Sequence, residues 1–273
     1  MQFGVNDDGS SEMLSLDLSG HIALVTGAEG GLGNQIAIDL AECGANIVLT
    51  DRTAGAPAQA LATQIRSSTG RDVYVVAGDI SSPDDVRQMA SSLRNVLDRP
   101  VTVLVNNAGH YRDYAPIFQV SDEVIDRTID TNLKGTMYVT REFTKWMIEA
   151  GVGGRVINIG SGAGRSGRWR HAHYCGSKAG VLGATKAMAI DLAEYGITAN
   201  SITVGFVDVG KFDEGDLATV KNDIIPRILL RRAGEPRSVS AMVCYLASRH
   251  AAWITGTDVV IDGGESAGRI PIG

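Results

Sequence analysis

Short apolar runs alternate with amphipathic stretches along nearly the whole chain. From His21 onward, residues 22–25 form an apolar run that meets Thr26 and a glycine cluster. Residues 36–41 then carry an apolar face at helical spacing, Cys43-Gly44-Ala45 ends them, and residues 46–50 form the next run. The unit recurs, with helical patterning at 58–67, 84–97, 121–150 and 172–195 and apolar runs at 73–76, 101–105, 155–159, 197–204 and 258–261. Strand-like runs that alternate with helical ones predict parallel strands joined by crossover helices. The runs are nearly all apolar, as strands are when helices cover both faces of a sheet. The pattern therefore predicts an α/β fold, a doubly wound parallel sheet of about seven strands flanked by helices. In such a sheet ligands collect at the carboxyl ends of the strands.

Composition narrows this picture. The chain has 273 residues, 44% of them apolar, enough to build one core. We expect a single dinucleotide-binding catalytic domain over residues 18–273, preceded by a flexible, polar leader at 1–17. The formal net charge of −6 suits a soluble protein and argues against nucleic-acid binding. No run approaches the ~20 apolar residues of a membrane span, and the N-terminus lacks the pattern of a signal peptide. The three cysteines, Cys43, Cys175 and Cys244, lie far apart in sequence with no CxxC pair. That fits a reducing, cytoplasmic setting and no disulfide framework.

Thr26-Gly27-Ala28-Glu29-Gly30-Gly31-Leu32-Gly33 joins the first strand to the first helix. Glycines there permit a tight turn and close backbone approach to a pyrophosphate, and the helix N-terminus offers free N–H groups. This is a Rossmann-like arrangement. Asp51 closes the second strand, 18 residues after Gly33. Its carboxylate can accept hydrogen bonds from ribose hydroxyls and would repel a 2′-phosphate, which favours NAD. Arg52 beside it can bind a 2′-phosphate, so NADP is the alternative. Asp79 and the run Asn106-Asn107-Ala108-Gly109 sit at the ends of two further strands, in line with the same ligand.

Tyr174 and Lys178 are four residues apart and share one helix face. A tyrosine releases its proton near pH ~10, and a neighbouring ammonium lowers that value, so the pair can move protons near neutrality. Ser161, just beyond the strand at 155–159, can hydrogen-bond a substrate oxygen. Asn132 sits within a helical stretch, where its type is mildly unfavourable.

Taken together, these motifs resemble the short-chain dehydrogenase/reductase family from about residue 18 to 264. The matching residues are Thr26-Gly27-x-x-x-Gly31-x-Gly33, Asn106-Asn107-Ala108-Gly109, Asn132, Ser161, Tyr174-x-x-x-Lys178, Ile254-Thr255-Gly256 and Asp262-Gly263-Gly264. The resemblance implies roles. Tyr174 would exchange a proton with the substrate oxygen, and Ser161 would orient that oxygen. Lys178 would bind the nicotinamide ribose and lower the pKa of Tyr174, and Asn132 would hold a water that links Lys178 to solvent. The backbone at Leu32 would hold the pyrophosphate, Asp79 and Ile80 would flank the adenine, and Asn107 would contact its ribose. Two positions depart from the pattern: Val204 replaces a proline, and Val209 replaces a threonine that usually holds the cofactor. The backbone of Val207 can still meet the carboxamide.

The resemblance also places the substrate pocket. It would lie among the residues after Gly109, including His110, the loop 168–173, including His171, and the segment 210–232, expected to close as a lid. Three histidines there invite a metal, but no carboxylate or cysteine completes a ligand set, and none is expected. The sequence thus points to NAD(H)-dependent interconversion of a secondary alcohol and a ketone by a homotetramer. The alternatives are an NADPH-dependent 3-oxoacyl thioester reductase and, outside catalysis, an NAD-binding redox sensor.

Overall fold

The computed structural model describes residues 15–210 and 220–268. Residues 1–14 of the expected leader and 211–219 of the expected lid lie outside them. Seven parallel strands form one sheet in the order β3-β2-β1-β4-β5-β6-β7. They are β1 (Ile22–Thr26), β2 (Asn46–Asp51), β3 (Val73–Ala77), β4 (Val103–Asn106), β5 (Gly154–Ile159), β6 (Ile197–Val204) and β7 (Asp258–Ile261). The order reverses between β1 and β4, which opens a crevice above their carboxyl ends.

Strand alternation fills two cores. Ala23 and Val25 of β1 face one side, while Ile22 and Leu24 face the other. The first side packs under α1 (Gly31–Glu42), α2 (Ala56–Thr69) and α7 (Pro236–Ala247). The second packs under α3 (Pro83–Val96), α5 (Thr136–Glu149) and α6 (Ala172–Leu192). Local chemistry sets the helix ends. Ser82 caps α3 by accepting from the Asp85 N–H at 3.2 Å, Pro83 opens the first turn, and Asp84 and Asp85 face the positive end of the dipole. Gly70 stops α2 at φ +67°, a left-handed conformation that a Cβ would disfavour.

The structure refines the expected elements. The largely helical stretch expected over 121–150 consists of three pieces: α4 (Asp122–Ile129), a π-helical turn over Asp130–Gly135, and α5. The wider turn re-aims Asn132 into the interior. The long helix expected over 172–195 ends at Leu192 and finishes in a 3₁₀ turn, which Gly196 closes at φ +68°. Helix α7 was not expected at all. Its buried Val239, Val243 and Leu246 follow helical spacing, behind Pro236 in the first turn. Finally, the packed body starts before residue 18. Leu16 packs on the first core, and the Ser15 carbonyl lies 3.1 Å from His250 Nε2.

Candidate active site

The Gly-rich turn is a cradle that side chains would fill. A Cβ on Gly33 would lie 2.3 Å from the Gly27 carbonyl oxygen, and one on Gly27, at φ +63°, would lie 2.8 Å from Ala108 Cα. Asn107 holds this turn in place. Its Nδ2 donates to the Thr26 carbonyl at 2.9 Å and the Gly27 carbonyl at 3.1 Å. The Thr26 hydroxyl in turn accepts from the backbone N–H groups of Asn107 and Ala108, both at 3.0 Å. Both Nδ2 protons of Asn107 are spent on the turn, so a ribose contact there falls to its oxygen atoms. Val209 lies over the same turn, because a Cβ on Gly31 would come within 2.6 Å of Val209 Cβ. Its methyl groups occupy the position where the resemblance implies a hydroxyl. Val207 pairs with Gly234 in a β-bridge.

At the end of β2, Asp51 Oδ1 accepts the backbone N–H of Arg52 at 2.8 Å. The exposed Arg52 lines a cavity of about 280 Å³ with Gln88 and Ser92. Asp79 Oδ1 is taken up by Ser81, accepting from its N–H at 2.9 Å and its hydroxyl at 2.6 Å. Ile80 is buried against Gly135, where an added Cβ would fall 2.8 Å from Ile80 Cδ1.

The chemical end gathers from β5, the π turn and α6. Tyr174 lies in the first turn of α6 and Lys178 one turn later. Lys178 is 5% exposed, and its Nζ donates to the Ile159 carbonyl at 2.8 Å. Burial alone brings its ammonium down to about 8. The turn after β4 runs beside this lysine, within ordinary contact of it at Gly109. Ser161 follows the end of β5, where its hydroxyl accepts from the Ala163 N–H at 3.3 Å and acts on the Tyr174 phenol. Tyr174 was expected to be pulled down by Lys178; its pKa is raised instead, because burial outweighs the downward pull of Ser161 and of the Arg168 charge.

Asn132 is fully buried and ties this end together. Its Oδ1 accepts from the His110 N–H at 2.6 Å, and its Nδ2 donates to the His110 carbonyl and to Ser177 Oγ, both at 2.9 Å. Ser177 then donates to the Tyr174 carbonyl at 2.8 Å. Sequence reasoning missed Ser177, although its place three residues after Tyr174 puts it on the buried face of the same helix.

Two loops form the mouth. His171 stacks on Tyr114 with ring centroids 5.2 Å apart and meets Tyr174 edge-on at 6.3 Å. His110 Nε2 lies 3.1 Å from Asp113 Oδ2, which also pairs with Arg127. Tyr114 was the other omission, readable only as an aromatic in the loop that begins at His110. Both loops contain a non-glycine residue in the left-handed region, Asp113 at φ +66° and Arg170 at φ +62°. Such strain clusters at functional sites. Among the described residues, no cluster of His, Cys, Asp and Glu could hold a metal, and no helix is long and apolar enough to cross a membrane.

Comparison with known proteins agrees with this geometry. The model of the family described as enoyl-(acyl carrier protein) reductase matches residues 27–266. An acetoacetyl-CoA reductase of Allochromatium vinosum is 35% identical over 248 residues, covering 89% of this chain and 97% of the relative. A 3-oxoacyl-[acyl-carrier-protein] reductase of Rickettsia typhi is 34% identical over 252 residues, covering 91% and 98%. A short-chain type dehydrogenase/reductase of Mycobacterium marinum superposes with a TM-score of 0.86 at 32% identity, covering 93% of this chain and 98% of that one. A protein assigned as a 2-deoxy-D-gluconate 3-dehydrogenase of Agrobacterium tumefaciens, with NADP bound, superposes at 0.82 and 31% identity, covering 94% and 100%.

Proposed function

This chain belongs to the short-chain dehydrogenase/reductase family, and from that premise we propose that it reduces a 3-oxoacyl thioester with NADPH, Tyr174 supplying the proton. The observation that carries the reduction is the meeting of Tyr174 and the buried Lys178, one turn apart on α6, with Ser161 just beyond the end of β5. The relatives named for 3-oxoacyl and acetoacetyl thioesters support the substrate class and favour this reading over the NAD-linked alcohol dehydrogenase expected first.

A nicotinamide bound over the Gly-rich turn supplies the hydride. The rest falls to the chain's own side chains. Tyr174 gives its proton to the substrate oxygen as negative charge develops there. The Ser161 hydroxyl stabilises the same charge. The buried Lys178 ammonium adds a positive charge one helical turn away and faces the cradle beside Gly109. Asn132 fixes the His110 backbone against Ser177, which keeps the mouth in register with the helix that carries Tyr174. A sensor without turnover has no use for an ammonium held in the core at this cost.

Cofactor choice divides the residues at the adenosine end. Arg52, beside its cavity, supports NADPH through a 2′-phosphate. The second reading, NAD(H)-linked oxidation of a secondary alcohol, is favoured by two acids, Asp51 and Glu29, whose Oε1 is buried with no hydrogen-bond partner. Steady-state reduction of acetoacetyl-CoA with each cofactor separates them. We expect NADPH to be preferred and Arg52→Ala to raise its KM about tenfold, the worth of one charged hydrogen bond, with NADH little changed. Preference for NADH, weakened by Asp51→Ala, would establish the second reading instead.

We also propose a homotetramer. Apolar groups left at the surface, such as Ile190 at 79% and Trp253 at 99% exposure, support burial between copies. Light scattering that returns a monomer mass would refute it.

A further inference from the structure

Two cysteines far apart in sequence meet between α1 and α7. Asp39 of α1 accepts a hydrogen bond from Ser240 of α7, and Arg237 pairs with Asp39 at 3.1 Å. One turn further along each helix, four residues on, stand Cys43 and Cys244. Residues four apart share a helix face, so the rung after Asp39 and Ser240 brings these two positions together. Each thiol is the strongest single influence on the other. Cys244 is 2% exposed and belongs to the first core, whereas Cys43, the C-cap of α1, is half-buried and packs on that core. One sulfur thus touches solvent, and its partner stands directly behind it. Neither belongs to the active site described above.

We propose that Cys43 and Cys244 are a redox modification site that closes to an intramolecular disulfide on exposure to hydrogen peroxide. The Cys43 thiolate attacks one peroxide oxygen, the O–O bond breaks, and one water leaves after protonation. Cys43 is then a sulfenic acid. Cys244 loses its proton and attacks the Cys43 sulfur. The S–S bond forms, the S–O bond breaks, and a second water departs. The two thiols lose two electrons, and the peroxide takes them up. The environment suits these roles. The neighbouring Cys244 holds the Cys43 thiol below its usual range, against burial and the charges of Asp39 and Glu42, while Cys43 and burial push Cys244 up. The new bond would fasten the end of the helix that begins at the Gly-rich turn to the last helix of the domain.

The test is peroxide treatment of the full chain, alkylation of the remaining thiols, and mass spectrometry of a non-reduced digest. We expect only Cys175 to stay alkylated. A Cys43–Cys244 cross-linked peptide should appear about 2 Da below the sum of its parts, the two hydrogens lost on closure. Melting should rise by several degrees on oxidation and return with a dithiol reductant, as expected for a bond closing a long loop. Cys43→Ser should abolish both effects. Cys244→Ala should leave a sulfenic acid at Cys43 that a dimedone probe captures. Three alkylated cysteines after treatment, a sulfinic acid at Cys43 without the cross-link, or disulfides between chains would each overturn the proposal.

Discussion

The chemical end and the mouth of this site are built on opposite terms. At the chemical end, Asn132, Ser177 and Lys178 are buried and hydrogen-bonded, and they grow from a π turn and a helix. At the mouth, Tyr111, Tyr114 and Trp169 stand 59%, 62% and 81% exposed on loops that bend through left-handed Asp113 and Arg170. A buried network holds one geometry, because a broken member leaves polar groups unsatisfied in a low dielectric. An exposed loop can vary without that penalty. Under the proposed function, this division would leave proton transfer to the core and substrate choice to the rim.

The largest expected effect is at Tyr174. Tyr174→Phe keeps the ring and removes the proton, so turnover should fall about 10²–10⁴-fold, the range for a positioned acid. Cofactor affinity, read by reduced-nicotinamide fluorescence, should stay within about twofold, well under one hydrogen bond's worth. A matching loss of affinity would break the separation.

Lys178→Met should come next and act in two directions. Turnover should fall sharply while the fold becomes more stable. The lysine's folded pKa of about 8 lies below its ordinary 10.5, so the unfolded chain binds more protons between those values and stability rises with pH across that window. Below about 8 the full penalty of the buried ammonium applies. The variant should therefore gain on the order of 1–3 kcal/mol at pH 7, and its advantage over wild type should shrink as the pH approaches 10.5. Denaturant melts at pH 7 and pH 10 would show this, and an advantage that does not change with pH would contradict it.

Much of the chemical end was legible in the sequence because its residues sit where periodic elements begin or end. Tyr174 and Lys178 share a helix face, Ser161 follows a strand, and the glycines mark the first crossover. Each placement follows from spacing alone. Asn132 was legible only as an ill-suited helix residue. Its position depends on a π turn, which the uninterrupted helical pattern of 121–150 conceals. The raised Tyr174 pKa was misjudged for a related reason: the spacing to Lys178 was visible, but burial was not. Cys43 and Cys244 were read as unrelated, since no local pattern reports that two helices two hundred residues apart lie in register. Helix α7 went unread although Val239, Val243 and Leu246 follow helical spacing behind Pro236.

Smaller effects sharpen the comparison. Asn132→Ala leaves the His110 backbone and the Ser177 hydroxyl short of a partner, so we expect about 1–3 kcal/mol of lost stability, measured by urea unfolding, with reduced kcat. An unchanged midpoint would show that the network bears little of the site. His171→Ala removes the ring stacked on Tyr114 and should raise KM for substrate about tenfold or less, the scale of one aromatic contact, with cofactor binding preserved. Arg170→Gly relieves a left-handed backbone and should add about 0.5–1 kcal/mol of stability while raising KM. A fall in stability would mean that the guanidinium, not the backbone strain, governs that position.

The central claim, that chemistry and recognition are separate, is tested most directly by one set of measurements. It is kcat/KM for wild type, Tyr174→Phe and His171→Ala over a shared panel of 3-oxoacyl thioesters and simple ketones. Tyr174→Phe should lower every value by a similar factor and keep the substrate order, while His171→Ala should change the order. A reordering by Tyr174→Phe, or a uniform loss with His171→Ala, would contradict the account.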